Sequence, residues 1–460
     1  MLLLALAYAC TKAPEAIDTA PQTVPFSRTL ARIDPDEQDL GGYVPARSIL
    51  HLHSPWSHDA CDGDPLPDGA PNAPCLADLR AAICDVGLDV ASLTDHPTHA
   101  AAQDYDTLTW AAEGDRPELL DGVAVGNHVA CADGRSVLVL PGIEDTLMPQ
   151  GLRRHVEGDA AARDALYNRR DDEAIAAMVA TGAVLTLAHT EGEEIAELTR
   201  LQDAGLVGLE AFNLHAMVDP NIREESLGLD SLSWLSDIAD FTNPDGVAEP
   251  DLLFLAVVQE QAPSILAWDT LSAQGPTFGF AGTDAHQNAL PIVMRDGERG
   301  DSYRRMMRWF SNWLLLSPQD AAPGEAVTAQ AVEAAQRAGR GYIVFEAFGT
   351  PADFDVALYD DAGARYEIGA DAPTGELQVR CPRLAALSPR GLTPPEISAQ
   401  VLKDGQPFAQ GCGAHTLTEP GVYRVVFTIT PLHLSPFLGA DPAPHMREAV
   451  WIYANPHRVR

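Results

Sequence analysis

Short apolar runs alternate with longer helix-like stretches between residues 47 and 285. The runs are RSILHLH (47–53), LDVASLTDH (88–96), SVLVLPGIE (136–144), AVLTLAH (183–189), LVGLEAF (206–212) and FGFAGTDAH (278–286). The helix-like stretches include CLADLRAAICDVG (75–87), DDEAIAAMVATG (171–182) and EEIAELTRLQDAG (193–205). Near-continuous apolar strands that alternate with helices are typical of a parallel sheet or a closed barrel.

The pattern changes after residue 300. Two stretches, DSYRRMMRWFSNWLLL (301–316) and AQAVEAAQRAGR (329–340), predict a helical segment. From Gly341 onward, turn residues separate the shorter alternating runs YIVFEAFG, FDVALYDD, ELQVRC, EISAQVLKDG, GVYRVVFTIT and AVWIYANP. We therefore predict an α/β domain over residues 47–340 and a β-sandwich domain over residues 341–460.

The first ten residues, MLLLALAYAC, resemble the end of a bacterial lipoprotein signal. Cys10 would be the lipidated residue and residues 11–46 a tether, although Ala7 stands where leucine is usual and no basic segment precedes the run. No 18-residue apolar stretch occurs elsewhere, so we expect no spanning helix. The resemblance implies an exported protein, periplasmic or at the outer-membrane surface, anchored only by the lipid on Cys10. The alternative is a short apolar N-terminus with a chance cysteine.

Six cysteines remain when Cys10 is set aside, and an even number favours disulfides in an oxidising compartment. Proximity in sequence suggests the pairs Cys61–Cys75 and Cys381–Cys412, which leaves Cys84–Cys131 as the third pair. Many other pairings of the six cysteines are possible. No CxxC motif occurs, which argues against a zinc site made of thiolates.

The chain carries a formal net charge of −36, with lysine only at positions 12 and 403. Such a surface repels polyanions, so binding to a nucleic-acid scaffold or to an anionic membrane face is not expected. A small phosphorylated substrate is still compatible, because a cluster of divalent cations would reverse the sign of the charge locally.

Most of the apolar runs before residue 290 end in side chains that bind metals. These are His51 and His53, Asp95 and His96, Glu144, His189, and Asp284 and His286. Side chains two residues apart on a strand share a face, so each of the pairs 51/53 and 284/286 can offer two ligand atoms to one point. In a closed barrel the carboxyl ends of the strands meet at one mouth. Imidazoles and carboxylates without cysteine suit zinc, manganese or iron.

Five segments also occur in the order and spacing of a known family. SILHLHS, GLDVASLTDH, VLPGIE, LAHTEG and GTDAH resemble the polymerase-and-histidinol-phosphatase (PHP) domain across residues 47–290. This resemblance implies a distorted (β/α)7 barrel that binds two or three divalent metal ions and hydrolyses phosphate esters.

The resemblance also implies a ligand set by position. His51, His53 and Glu144 would hold one metal ion, with Glu144 bridging to a second, and the set would be completed by His96, His189, Asp284 and His286. The family places a further ligand seven or eight residues after the first histidine, and here His58 and Asp59 fill both positions. His155 is the candidate for a histidine that follows the bridging glutamate.

Two charged residues have expected roles beside the metals. Asp95 is expected to orient a ligand histidine rather than to bind metal itself. Arg295, with Arg299, would clamp a phosphate group; the alternative is that both arginines pair with the surplus carboxylates of this acidic chain. The other histidines are interpreted as loop or packing residues, except that His215 follows the fifth apolar run and could face the mouth.

The predicted activity is that of a metal-dependent hydrolase, with a phosphoester as the expected substrate. A hydroxide bridging the ions of a di- or trinuclear site would attack phosphorus, while the cations stabilise the attacking and leaving oxygens. One alternative is a cell-envelope binding protein that holds metals without turnover. Another is a hydrolase of amides or other esters, because a metal hydroxide does not select phosphorus by itself.

Overall fold

The predicted strands of the first part form close to their apolar runs. The computed structural model describes residues 26–33, 40–230, 233–243, 245–385 and 392–460. The strands before residue 320 are β1 (Val44–Leu52), β2 (Val90–Asp95), β3 (Arg116–Leu120), β4 (Val123–Ala130), β5 (Ser136–Ile143), β6 (Met148–Gln150), β7 (Val184–Leu187), β8 (Gly208–Asn213), β9 (Phe278–Gly282) and β10 (Ser311–Leu316). The six predicted runs correspond to β1, β2, β5, β7, β8 and β9.

These six strands pair mostly in parallel. β1 pairs with β2, β2 with β5, β7 with β8, and β8 with β9 in parallel, and β6 joins β5 to β7 through antiparallel pairs. A parallel bridge also connects Leu52 with Ala285, just beyond β9. Because both faces of these strands are covered, nearly every residue in them is buried, which explains the continuous apolar runs. The fold is mixed α/β with a large, mostly parallel central sheet.

Helices fill most of the connections. They are α1 (Ala60–Gly63), α2 (Ala73–Asp85), α3 (Pro97–Ala100), α4 (Ala160–Tyr167), α5 (Asp172–Val179), α6 (Ile195–Ala204), α7 (Leu214–Val218), α8 (Pro220–Glu225), α9 (Ser233–Thr242), α10 (Phe254–Val257), α11 (Ala262–Gln274), α12 (Tyr303–Trp309) and α13 (Ala329–Arg337). Asn72 and Asp171 begin two of the predicted helices as N-caps, since their side chains accept hydrogen bonds from backbone N–H groups of the first turn.

The helix predicted over residues 301–316 is wrong in its second half. The helical part is α12, and the run SNWLLL that follows forms β10. β10 pairs antiparallel with β1 on one side and with β11 (Gly341–Val344) on the other. All six of its residues are buried, so this run has no polar face for a surface helix to expose, and a central strand satisfies it better.

The chain after residue 341 forms additional antiparallel sheets. After β11 the strands are β12 (Pro351–Ala352), β13 (Asp355–Tyr359), β14 (Arg365–Glu367), β15 (Asp371–Ala372), β16 (Gly375–Arg380), β17 (Arg383–Leu384), β18 (Glu396–Lys403), β19 (Gln406–Gln410), β20 (Gly413–Leu417), β21 (Gly421–Thr430), β22 (Ala449–Ala454) and β23 (His457–Val459). One sheet has the order β14-β13-β16-β20, and a second set of antiparallel pairs runs β19-β18-β21-β22-β11.

The central sheet continues across residue 341, because β11 pairs with both β10 and β22. Two asparagine side chains also bind the backbone of β9. The amide of Asn455 accepts from Gly279 N at 2.7 Å and donates to Gly279 O at 2.9 Å. Asn312 does the same at Ala281, at 2.7 and 2.8 Å. The C-terminal sheets therefore help to hold the strand that leads to the predicted ligands Asp284 and His286.

The three predicted disulfides, Cys61–Cys75, Cys84–Cys131 and Cys381–Cys412, are confirmed, with Cα–Cα distances of 5.8, 5.6 and 5.5 Å. Three disulfides are typical of a protein in an oxidising, extracytoplasmic location. The first disulfide fixes the loop after β1, where Cys61 N also donates to His286 O at 2.9 Å.

The predicted lipidation site Cys10 lies outside the described residues. Part of the predicted tether is described and contacts the rest of the chain. Leu30 is buried, and the Arg28 guanidinium lies 3.1 Å from Asp296. β1 begins at Val44, also inside the predicted tether. Among the described residues, no helix is long and apolar enough to cross a membrane.

Two histidines of the C-terminal sheets are buried against backbone carbonyls. His433 Nε2 donates to Phe348 O at 3.0 Å, and His457 Nε2 donates to Tyr366 O at 3.2 Å. Burial lowers the pKa of each imidazole to about 4, and the single carbonyl partner opposes this only in part. Both histidines are thus held neutral in the folded protein.

Because these pKa values lie below the unfolded value of 6.5, the folded state loses stability as pH falls from 6.5 towards 4. The step corresponds to roughly 3 kcal/mol of folding free energy per histidine. We expect H433Q and H457Q each to remove part of this pH dependence in urea unfolding measured at pH 7 and pH 4.5. H415Q, at a partly exposed strand position, serves as the control, and unchanged pH dependence in both variants would contradict the assignment.

Candidate metal centre

The fold brings the predicted ligands of the strand ends to one edge of the central sheet. They are His51 within β1, His53 just after it, His96 after β2, Glu144 after β5, His189 after β7, and Asp284 and His286 after β9. The carboxyl ends of parallel strands lie together, so residues far apart in sequence become neighbours. All except His96 and His189 are buried, and these two are partly exposed.

His51, His53 and Asp284 form the deepest group. The two Nε2 atoms of the histidines face each other at 2.9 Å, and Asp284 Oδ1 lies 3.2 Å from each of them. The i and i+2 positions of the histidines place both rings on one face of β1, as predicted. Three ligand atoms therefore converge on one point.

A second group lies on the other side of Asp284. His189 Nε2 is 3.5 Å from Glu144 Oε1 and 3.6 Å from Asp284 Oδ2. His215 Nδ1 lies 3.1 Å from the same Asp284 oxygen. The open question about His215 is thus answered by its position: it faces the cluster and belongs to the group His189, His215 and Asp284.

The third group contains His96, His286 and Asp59. Asp59 Oδ1 is 3.4 Å from His286 Nε2 and 3.8 Å from His96 Nε2. The ring of His286 stacks on His53 with centroids 3.7 Å apart, which connects this group with the first. His58 is exposed, with its ring centroid 5.2 Å from that of His96. Both alternatives lie beside His96, and His58, Asp59 and His96 form one of the groups that could hold an ion. Asp59 is in addition 3.4 Å from His286.

The ligand atoms of the cluster suit bound metal ions, because without an ion some of them are buried and unsatisfied. Asp59 Oδ1 and His286 Nε2 are buried polar atoms with no hydrogen-bond partner among the described residues. Leaving such an atom unsatisfied costs about 1–3 kcal/mol, and a cation between them would satisfy both. Several overlapping groups of three His, Asp and Glu side chains, each with ligand atoms within 4.8 Å of one another, could hold an ion.

Without an ion, the charges of the cluster compensate one another. Burial lowers the pKa of His51, but Asp284 and Glu210 outweigh it and raise the pKa to about 10. Burial also lowers the pKa of His96, but the nearby Glu144 carboxylate outweighs burial and raises this pKa to about 9. The carboxyl pKa of Asp284 is lowered, because His51 and His286 outweigh its burial. A bound metal ion would take the place of these protons, so metal binding releases protons here.

Ser57 connects Asp95 with a predicted ligand. His53 Nδ1 lies 2.7 Å from Ser57 Oγ, which in turn donates to Asp95 Oδ1 at 3.2 Å. Asp95 is also held by the backbone N–H and the hydroxyl of Ser54. With its Nδ1 proton donated to Ser57, His53 directs the lone pair of Nε2 at the cluster. Asp95 is therefore connected to the predicted ligand His53, but through a serine that the sequence analysis did not identify.

Glu210 is a further residue that the sequence analysis missed. Its Oε1 accepts from His51 Nδ1 at 2.6 Å, and its Oε2 accepts from His189 N at 3.0 Å and from Asn213 Nδ2 at 2.6 Å. The side chain is 1% exposed. A carboxylate in the middle of the apolar run LVGLEAF was the available signal, because a buried strand includes a charge only where it has a partner.

Two predicted ligand residues have an uncommon backbone conformation. His189 and Asp284 have φ values of 51° and 50°, in the left-handed region that residues other than glycine seldom adopt. Such strain costs about 1–3 kcal/mol per residue and concentrates at functional sites.

The structure corrects two of the predicted site residues. His155 lies apart from the cluster: its Nε2 bonds Gln103 O at 3.1 Å, and its Nδ1 lies 3.4 Å from the Tyr167 hydroxyl. The Arg295 Nε donates to Ala248 O at 2.7 Å, and its guanidinium pairs with Glu249 at 3.2 Å. Each side chain is held by partners outside the metal-ligand groups, and these partners come from distant segments of the chain.

Replacing Glu210 by Gln should weaken metal binding by about 10-fold to 100-fold, because an amide holds the His51 Nδ1 proton less strongly than a carboxylate does. Chelator competition on the purified chain measures the affinity. E118Q is the matched control, since Glu118 is another buried carboxylate 2.8 Å from a histidine, His128, outside the cluster. Equal metal affinity of E210Q and E118Q would contradict this role.

Gly282 ends β9 where the chain passes Glu210 most closely. A Cβ at this position would overlap Glu210 Oε1 and lie 3.0 Å from His51 Nδ1. We expect G282A to displace both side chains, lower the unfolding free energy by about 1–3 kcal/mol and weaken metal binding.

Urea unfolding and metal titration check the G282A prediction against G275A, whose Cβ would meet only the end of Gln202, 3.5 Å away. Wild-type metal affinity in G282A would show that this close approach is not required.

Comparisons with known proteins add one weak likeness. No family model and no curated protein matches the chain. Among solved structures, PsfC from Pseudomonas syringae PB-5123 shares 15% sequence identity with a TM-score of 0.34, and the match covers 66% of this chain and 93% of that one. A likeness of this size carries no argument about fold or function.

Proposed function

We propose that the chain is a metal-dependent hydrolase of phosphoesters, exported and attached to the cell envelope through Cys10. One observation carries the proposal: the buried cluster holds overlapping groups of His, Asp and Glu ligand atoms, with the partnerless Asp59 Oδ1 and His286 Nε2 within it. A complete set of neutral and anionic ligands suits two or three divalent ions, and zinc, manganese and iron all accept such ligands.

The same proposal includes a distorted seven-stranded barrel. The succession of pairs from β1 through β2, β5, β6, β7, β8 and β9 supports it, together with the bridge from Ala285 back to Leu52. In such a barrel the cluster would lie at the C-terminal mouth, where the active sites of (β/α) barrels are found.

Each side chain of the cluster has a role in this proposal. His51, His53 and Asp284 would hold one ion, Glu144, His189 and His215 would contribute to a second position next to it, and His96, His286 and Asp59 would hold a third. Glu210 keeps the proton of His51 on Nδ1, and Ser57 with Asp95 does so for His53, which leaves both Nε2 lone pairs available.

Divalent ions bound there would supply Lewis acidity and would lower the pKa of water towards neutrality. Hydrolysis of a phosphomonoester then consumes one water molecule. A bond forms between phosphorus and the water oxygen, the bond between phosphorus and the ester oxygen breaks, and a proton from water leaves with the alcohol. The chain contributes fixed geometry, since buried second partners hold the ligand side chains before substrate arrives.

Reconstitution of the purified full chain with zinc, manganese or iron, followed by a panel of phosphomonoesters and phosphodiesters, tests the proposal. We expect hydrolysis, measured as phosphate from monoesters or as alcohol from diesters, that stops after dialysis against a chelator and returns with metal. D284N should lower kcat at least a hundredfold, because Asp284 contacts both of the first two groups, and asparagine tolerates the left-handed backbone at this position.

E118Q serves again as the control that keeps full activity. Phosphate release that persists in D284N would refute the proposed site. Bound metal without hydrolysis of any phosphoester would favour instead a hydrolase of other bonds or a metal-containing binding protein.

A further inference from the structure

A pocket of about 470 Å³ opens directly onto the metal-ligand cluster. On one side it is lined by Asp59, His96, His189, His215, Asp284 and His286. The volume falls in the range of ordinary small-molecule sites, and roughly 150 Å³ is enough for one benzene ring. The pocket therefore has room for an organic group in addition to the group that reacts at the cluster.

The wall opposite the cluster is apolar. Three short segments supply it, each with two apolar residues three or four positions apart: Leu214 and Val218 from α7, Leu253 and Val257 from the turn into α10, and Met306 and Trp309 from α12. This spacing places both side chains of each pair on one face of their helix. The apolar wall thus follows from helical periodicity on three separate elements.

Trp309 shows how the wall is fixed in place. Its indole Nε1 donates to Asp251 O at 3.0 Å, on the side away from the pocket. Its ring stacks on Phe254 with centroids 5.7 Å apart. The polar atom of the indole is therefore already satisfied, and the part that borders the pocket is hydrocarbon.

Outside the histidines of the cluster, the charged side chains among the described residues that line the pocket are acidic. Among the described residues, no arginine or lysine lines it, whereas Asp219 and Asp301 do. The nearby Arg299 is held by Asp62 at 2.7 Å and by Asp301 at 2.6 Å. Beyond the metal cluster, nothing in the pocket would bind a second phosphate or a carboxylate, and the two aspartates would repel one.

We infer that the substrate is a phosphomonoester of an apolar alcohol, such as an arylalkyl or branched alkyl alcohol, with the phosphate as its only anionic group. This inference rests on the proposed function and names its substrate class. The phosphate occupies the cluster, and the alcohol carbon skeleton packs against the apolar lining at Val218, Leu253, Leu290, Met306 and Trp309, with Val218 and Leu290 in direct contact with it. Hydroxyl-rich sugars fit poorly, because their hydroxyls would lose water without gaining partners at this wall. Nucleoside polyphosphates fit poorly, because outside the cluster no arginine or lysine among the described residues lines the pocket to bind further phosphates.

Two pairs of ligands test the inference on the metal-loaded full chain. The substrates 2-phenylethyl phosphate and glycerol 1-phosphate are both primary alkyl esters, so they differ mainly in the polarity of the alcohol. We expect kcat/KM to be about tenfold to a hundredfold higher for the phenylethyl ester, the effect of burying one aromatic ring.

Binding is measured separately from turnover with two phosphonates that cannot be hydrolysed at an ester bond. Calorimetry should show 2-phenylethylphosphonate binding at least tenfold more tightly than methylphosphonate. Equal affinities, or no binding of either phosphonate, would overturn the inference.

Variants locate the effect in the pocket. Val218 and Leu290 line it and are only partly buried, so V218T/L290N changes polarity with little change of volume. The matched control V247T/I292N makes the same changes at two exposed positions, 70% and 50% exposed. The pocket variant should lose most of the preference for 2-phenylethylphosphonate, and the control should keep it. A preference that survives in the pocket variant would place the apolar contact elsewhere and refute the inference.

The two proposals fail in different ways. A preference for 2-phenylethylphosphonate without hydrolysis of either ester would support the apolar pocket and refute the phosphoesterase. Hydrolysis of both esters with equal kcat/KM and equal phosphonate affinities would support the phosphoesterase and refute the apolar substrate class. If V218T/L290N does not fold, the comparison of the two phosphonates on the unmodified chain still decides.

Discussion

The rest of this structure depends on one constraint: the buried carboxylates at the strand ends must be compensated by nearby positive charge. Asp284, Glu144 and Glu210 lie in the interior at the edge of the central sheet, where an isolated carboxylate would be very unfavourable. The imidazoles of the cluster supply the opposite charge, and they do so only because the strand ends converge. A small rotation of one strand would leave a carboxylate without its partner. The Glu210 contact with His51, the asparagine contacts with β9 and the glycine at position 282 all hold that convergence in place.

The site combines two environments that seldom occur together. At the cluster, groups of three His, Asp and Glu ligand atoms lie within 4.8 Å of one another; the rest of the pocket lining is largely aliphatic and aromatic, with Asp219 and Asp301 among it. The strand ends build the first environment, and the helices α7, α10 and α12 build the second. Chemistry and selectivity are thus placed on different elements, so the wall can vary without disturbing the ligands.

The sequence predicted the strand ends well because a buried strand, a turn residue and a metal ligand each leave a local signature. Six apolar runs, the three disulfides and seven of the ligand candidates at the strand ends are where those patterns indicated. The failures have physical causes. SNWLLL is buried along its whole length and its two polar residues stand together at one end, so periodicity could not distinguish a central strand from a buried helix. His155 and Arg295 were placed by resemblance and by proximity in sequence, and each is held instead by a distant segment, His155 by Gln103 and Arg295 by Ala248. Glu210 and Ser57 act through other residues, and such roles appear only when distances are known.

The disulfide between Cys61 and Cys75 adds a covalent constraint beside the candidate metal centre. It fixes the loop that presents Asp59, and the same loop is bonded through Cys61 N to the carbonyl of His286. Asp62 adds a backbone bond to Gln287 and an ion pair with Arg299, so the loop is held on one side by hydrogen bonds and on the other by a covalent bond to α2. The covalent bond depends on oxidation, whereas the hydrogen bonds do not. In an oxidising compartment the position of the Asp59 carboxylate is therefore fixed from both sides, and the metal content of that compartment would influence which ions the site acquires.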